Sequence, residues 1–224
     1  MAHPFGSLVF TPVVQALQER HGSRRQYARM AASPGPTAPL GRDEAAFIAE
    51  RDSFYMASVG ETGWPYVQHR GGPAGFLKVI DAQTIAFADF GGNKQFISAG
   101  NLSRDERVAI ILVDYPAQSR LKILGHVRTV EGAALADWLP AVQDPAYKAA
   151  IERVFVIHVD AADWNCSQHI TPRYTAADIR TAVAPLEDRV RHLTDENESL
   201  RRQLEQRGLS PRGERHESAD PAGR

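Results

Sequence analysis

The sequence predicts a mainly β protein, a closed or half-closed antiparallel barrel with flanking helices and a separate C-terminal helix. Three observations predict it. Six or seven short apolar or alternating runs lie between residues 53 and 159, and most are joined by tight turns rather than by helical crossovers. No Gly-x-Gly-x-x-Gly fingerprint or Walker loop marks a doubly wound sheet. Beyond residue 185 the apolar spacing changes to that of a heptad.

The elements follow in order. Residues 11–30 read as helical, with Thr11 placed to cap, Pro12 at the first helical position, and Gly22 and Ser23 allowing one helix to end and another to begin. Arg24, Arg25 and Arg29 on the second segment read as a solvated basic face. The Pro/Gly-rich stretch 33–41 is a linker, and a short helix with Ala45, Phe47 and Ile48 on its apolar side comes next. Ser53–Val59 and Trp64–Arg70 form a hairpin around Gly60-Glu61-Thr62-Gly63. Phe76–Asp81 and Thr84–Asp89 form a second one. Gly91–Leu102 reads as a short helix. Arg107–Asp114 is apolar enough for a strand buried on both faces. Leu121–Val130 alternates, 133–150 reads as helix broken by Pro140 and Pro145, and 153–159 is the last strand. The domain reading is an N-terminal helical extension and linker (1–42), a barrel (43–180), a coiled-coil dimerisation helix (185–207) and a disordered tail (208–224) rich in Gly, Pro, Arg and Glu.

The bulk numbers narrow the class. The 224 residues suffice for one sizeable core, and 43% hydrophobic with 24% charged residues is ordinary for a globular protein. A net charge of −1 supplies no basic field for nucleic acid. One cysteine, Cys166, excludes an internal disulfide and fits a reducing compartment. No apolar run approaches the ~20 residues of a membrane span, so a cytoplasmic location is expected.

In the C-terminal stretch, Leu186, Val190, Leu193, Asn197, Leu200 and Leu204 trace the seam. Asn197 falls at an a position, which specifies parallel two-stranded pairing, and Glu196 at g can reach Arg201 at e of a partner helix. An amphipathic helix packed on its own domain is the alternative.

Candidate chemistry concentrates in three places. Gly91-Gly92-Asn93-Lys94-Gln95 offers backbone N–H groups, amides and a cation, suited to a phosphate or a polar ring. Alternation puts Arg120 and Lys122 with Leu124 on one strand face, either outward and wet or lining a site. Trp164 to Arg173 gathers an indole, Gln168, His169 and a guanidinium just past a strand, a combination suited to a planar anionic ligand. His158, Cys166 and His169 lack the paired spacing of zinc ligands, so no metal is expected. A Cys166–His169 nucleophilic pair is conceivable, although nothing in the sequence activates the thiol.

These segments resemble the pyridoxamine 5′-phosphate oxidase-like flavoproteins, the FMN-binding split-barrel group, over about residues 5–180. Asp52–Ser58 and Gly63–Gly72 are similar to the family's first two barrel strands. Gly75-Phe76-Leu77-Lys78-Val79 is similar to the strand whose basic residue meets the flavin phosphate. Asp89-Phe90-Gly91-Gly92-Asn93 with Asn101-Leu102 is similar to the strand and helix that follow, and Trp164…Gln168-His169…Arg173 to the C-terminal segment that contacts FMN and substrate. The chain departs from true pyridoxamine phosphate oxidases in the wide Arg70–Lys78 spacing and in Ile170, which stands where that family has an arginine.

The resemblance implies a homodimer with FMN bound across its interface and an oxidoreductase acting on an unknown small substrate. It implies a phosphate clamp from Arg70, Lys78, Lys94, Arg120 and Lys122, ring hydrogen bonds from Asn93, Gln95 and Gln168, and an aromatic wall from Trp164. It also implies Arg173 or Lys122 beside the N1/O2 side of the ring and His169 as a substrate-facing proton donor. Two alternatives stand beside it. One is a non-catalytic flavin- or haem-binding module, with His69, His126 or His169 as axial ligands. The other is a dimeric interaction protein with a degenerate barrel. A deazaflavin in place of FMN is also open.

Overall fold

The structure, a computed structural model, describes residues 4–32, 39–165 and 167–209. Cys166, most of the 33–41 linker and nearly all of the tail from 208 lie outside the described residues. Two compact units divide at Pro172/Arg173.

Three short helices lead: α1 (Pro4–Val9), α2 (Pro12–Arg20) and α3 (Arg24–Ala32). The Thr11 hydroxyl caps α2 by accepting from the Val14 N–H. α4 (Arg42–Ala49) begins at Gly41, whose N–H donates to Glu44 Oε2 at 2.8 Å.

Seven strands then form one antiparallel sheet: β1 (Ser53–Val59), β2 (Pro65–Gly71), β3 (Lys78–Asp81), β4 (Thr84–Phe90), β5 (Arg107–Asp114), β6 (Ser119–Val130) and β7 (Ile151–Asn165). Their order is β2-β1-β5-β6-β7-β4-β3. With α5 (Ile97–Leu102), α6 (Leu135–Val142) and the flanking helices above, this is the antiparallel barrel that the strand pattern predicts and the split-barrel fold that the resemblance implies.

One face of the sheet is the core. Phe54 and Met56 of β1, Ile110 and Leu112 of β5, Leu121 and Ile123 of β6, Phe87 of β4 and Phe155 of β7 are all but inaccessible. Phe54 stacks on Phe76 at 5.4 Å and meets Phe87 edge-on at 5.1 Å. β1 and β4 therefore face each other across the interior although they lie four positions apart in the strand order, so the sheet is curled. Fully burying each such aromatic contributes about 1.5–3 kcal/mol. A smaller cluster (Ala86, Ala88, Val130, Val142, Val154, Val156) packs under α6.

Four expectations are corrected. β5 is not buried on both faces: Arg107 and Ala109 are exposed and Ile111 is half-buried, so the run is apolar because the outer face is apolar too. Residues 91–96 are loop, because Lys94 and Phe96 take left-handed backbone (φ 58° and 54°) and only Ile97–Leu102 coils. Residues 143–150 are not helical; α6 stops at Val142, before Pro145. β7 does not end at 159. A bulge opposite Gly125 lets it pair with β6 as far as Asn165, so Trp164 lies on a strand and not past one.

The second unit contains α7 (Ala176–Gln206), which begins upstream of the 185 read from sequence. Thr175 and Asp178 form a capping box at its start. Among the described residues no helix is long and apolar enough to cross a membrane.

Candidate functional site

The curl brings the edge strand β2 against β4, and a pocket opens along that junction. Alternation on β2 turns Tyr66, Gln68 and Arg70 inward and leaves Val67 and His69 outside. Arg70 pairs with Asp89 of β4. Its guanidinium also lies over the Phe87 and Phe155 rings, at 5.8 and 5.4 Å. Arg153 of β7 approaches the same carboxylate at 3.5 Å, reaches Glu131 Oε1 at 2.8 Å and lies 5.1 Å from the Phe96 ring. Burial outweighs the attraction on both sides of the Arg70–Asp89 pair. It raises the Asp89 carboxyl above the usual carboxylate range and lowers the Arg70 guanidinium.

The loop 91–96 closes the other side. The Asn93 side-chain oxygen Oδ1 accepts from the Gln95 backbone N–H at 3.2 Å, and the left-handed residues Lys94 and Phe96 turn the chain around the opening. Ser98 at the start of α5 donates to Gln68 Oε1 at 2.7 Å, tying the helix to β2. Asn101 donates to Ser58 at 3.1 Å and anchors the helix to β1. The lining holds three cations (Arg70, Lys94, Arg153) and two carboxylates (Asp89, Glu152), and Glu131, which pairs with Arg153, balances the third cation. Arg70 Nε is buried and, like the Nε of Arg51, Arg120 and Arg153, has no hydrogen-bond partner among the described residues.

The pocket thus gathers four of the residues singled out from sequence: Arg70, Asn93, Lys94 and Gln95. The others lie elsewhere. Lys78 opens β3, half-buried, at the far edge strand. Arg120 and Lys122 are half-buried on the outer face of β6. Pairing sets Lys122 in a cross-strand row, Tyr55–Ile111–Lys122–Asp163, beside the exposed Val67 and the half-buried Ala57. The Trp164 indole donates to Glu44 Oε1 at 2.6 Å and packs edge-on against Phe47 at 4.9 Å, so α4 already holds it. Gln168 and His169 (φ 65°) sit in a turn next to the buried Ile170, whose carbonyl accepts from Gln118 Nε2 at 2.5 Å. Arg173 belongs to the second unit.

Sequence reasoning missed Asp89 and Arg153. The signal was a charge within each of two apolar runs, Asp89 in β4 and Arg153 in β7, since a buried charge needs a partner.

The pyridoxamine 5′-phosphate oxidase family model matches residues 42–166, more than half of the chain and the whole of the sheet. The chain belongs to this family. Solved structures resemble it at low identity. HupZ from Group A Streptococcus is 16% identical at a TM-score of 0.44, over 60% of this chain and 99% of that one. An FMN-binding protein from Syntrophomonas wolfei is 11% identical at 0.43, over 66% and 97%. A protein from Lactobacillus delbrueckii described as a pyridoxamine 5′-phosphate oxidase is 18% identical at 0.43, over 56% and 93%. No curated protein matches the chain. The pocket sits where β2, the end of β4 and the following loop meet, all within the residues that the family model matches.

Proposed function

We propose that the protein is an FMN-dependent oxidoreductase that works as a homodimer on a small-molecule substrate. The observation that carries this reading is the β2–β4 pocket, with three converging cations and a buried Arg70 Nε that lacks a partner among the described residues. A phosphate ester satisfies both. Arg70, Lys94 and Arg153 would hold the phosphate, and Asn93, Gln95 and Gln68 would hydrogen-bond the polar groups of the ring and ribityl chain. Bound FMN would supply the redox chemistry that the chain's own side chains lack.

The pocket is only about 90 Å³, well below the ~300–1,000 Å³ of ligand sites. A second copy is the natural source of the missing walls. The outer sheet face is unusually apolar, with Tyr55 and Val67 exposed, and carries Arg120 and Lys122 among its hydrophobic residues. Laid over the partner's pocket, that face would add cations to the phosphate clamp. Trp164, Gln168, His169 and Arg173 are the remaining candidates for the ring and the substrate, with Lys78 as a further phosphate contact and His169 as proton donor.

The visible spectrum of the purified protein and FMN titration test the reading. Expected are flavin absorption bands, release of FMN on denaturation, quenching of added FMN fluorescence by the apoprotein, and loss of that quenching in Arg70→Ala. A colourless protein that leaves FMN fluorescence unchanged overturns it. A Soret band would transfer the site to haem.

A further inference from the structure

The second unit carries a surface that the flavin reading does not use. α7 is 31 residues long, roughly 46 Å, and none of its side chains is buried. Its apolar residues form one continuous stripe. Val183, Val190, Asn197 and Leu204 occupy the a positions of a heptad, and Ile179, Leu186, Leu193 and Leu200 the d positions. The stripe runs almost four heptads. It starts upstream of Pro185, which falls at an outward c position where its ring does not obstruct the seam. Exposure of 50% at Ile179, 65% at Leu186, 63% at Val190 and 51% at Leu200 leaves a large apolar area facing water on a helix whose other sides are polar.

We infer that this stripe is occupied by α7 of a second copy of the chain, parallel and in register. Three features on the helix select that occupant. β-Branched valines at a with mainly leucine at d favour two parallel strands over three or four. Asn197 at a meets its own counterpart only when the helices are parallel. In an antiparallel pair, a faces d, so the amide would be set against a leucine with no hydrogen-bond partner. The flanking charges agree. In the parallel register, position g of one helix faces e of the next heptad in the other, which pairs Glu196 with Arg201 and creates no like-charge contact at Ala182/Glu187 or Arg189/Thr194. The Arg191–Asp188 ion pair lies on the outward b and f positions and leaves the seam free of competing charge.

The consequence is geometric. Parallel pairing brings the two capped starts at Thr175 to within about 10 Å of each other. Each barrel ends only a few residues earlier, so the pair keeps two barrels together at one end of the coil and raises their effective concentration. An antiparallel pair would hold the two starts roughly 46 Å apart. The inference does not depend on what the barrels bind.

Disulfide trapping in the full-length chain tests it, with Cys166→Ser as background. Under mild oxidation Asn197→Cys converts nearly completely to a covalent dimer, because equal a positions approach within bonding range in the parallel register. Asp195→Cys, at an outward f position, remains monomeric on the same gel. Asn197→Ile adds assemblies larger than two chains, since the register determinant is gone. Equal trapping at 195 and 197, or none at 197, overturns the inference, whether or not the protein holds flavin.

Discussion

Arg70 and Asp89 join opposite sides of the sheet: one residue sits on the edge strand β2, the other on β4, five positions away in the strand order. The pair closes the barrel at the mouth of the pocket. Burial raises the Asp89 carboxyl and lowers the Arg70 guanidinium, so desolvation exceeds attraction for both partners. Such a pair positions groups more than it stabilises the fold.

That reasoning separates single from double substitution. Asp89→Ala leaves Arg70 and Arg153 facing each other without their shared carboxylate and is expected to cost about 3–5 kcal/mol. Arg70→Met with Asp89→Leu replaces the pair by apolar volume. It should melt close to the parent protein yet fail to quench FMN. Thermal melts and fluorescence titration of both variants check this. A double variant as unstable as Asp89→Ala contradicts the positioning role.

A second prediction concerns the bulge that lets β7 run on to Trp164. A Cβ on Gly125 would lie 2.3 Å from the His158 carbonyl oxygen and 3.0 Å from the Ile157 side chain. The obstacle is mainly backbone, inside a paired sheet, and cannot swing aside. Gly125→Ala should therefore cost about 1–3 kcal/mol, as overpacking usually does, read as a lower denaturation midpoint at unchanged slope. Gly100→Ala, where a Cβ meets nothing within 4 Å, is the control and should not destabilise.

Much of this arrangement was legible in the sequence, and the exceptions have physical causes. β1 and β2 could be placed because turn chemistry and alternation are local, and β5 because its apolar run is continuous, which also hid its outer face. The 91–96 loop could not be, since nothing in the identity of Phe96 announces left-handed backbone. Trp164 was conspicuous as a candidate, but its grip by Glu44 and Phe47 connects positions 120 residues apart. Asp89 and Arg153 showed as charges in apolar strands, while the fact that they meet depends on the pairing of β4 with β7, which sets them opposite each other. The helix α7 was readable because helical periodicity is local; its extension upstream past Pro185 was obscured by the usual rule that proline ends a helix.

The pH response has a defined sign at one exposed site. Asp105 accepts from Arg107 through Nε at 2.8 Å, Nη2 at 2.6 Å and the backbone N–H at 3.1 Å. These bonds lower its carboxyl from 3.8 to about 2. A carboxyl with a depressed folded value stabilises the fold above its unfolded value. That stability is lost as pH falls from about 3.8 toward about 2. Arg107→Ala should remove this part of the acid dependence and leave stability at neutral pH little changed, as for most exposed pairs. Denaturation midpoints measured across that window for both proteins decide it.

Gln118 supplies the last prediction, because it controls residues proposed for the site without belonging to the pocket. Left-handed itself (φ 52°), it sits in the β5–β6 turn and holds the Ile170 carbonyl at 2.5 Å. The buried Ile170 side chain is the second anchor of the turn that carries Gln168 and His169. Gln118→Ala removes one anchor at a cost of about 0.5–1.5 kcal/mol, and hydrogen exchange should quicken over residues 167–172 while β2 and β4 stay protected. If Gln168 and His169 touch the cofactor, FMN affinity must fall with that local loosening although Arg70, Asn93, Lys94 and Gln95 are untouched. Unchanged affinity beside faster exchange would remove both residues from the site and leave the β2–β4 pocket as the whole of the chain's own contribution.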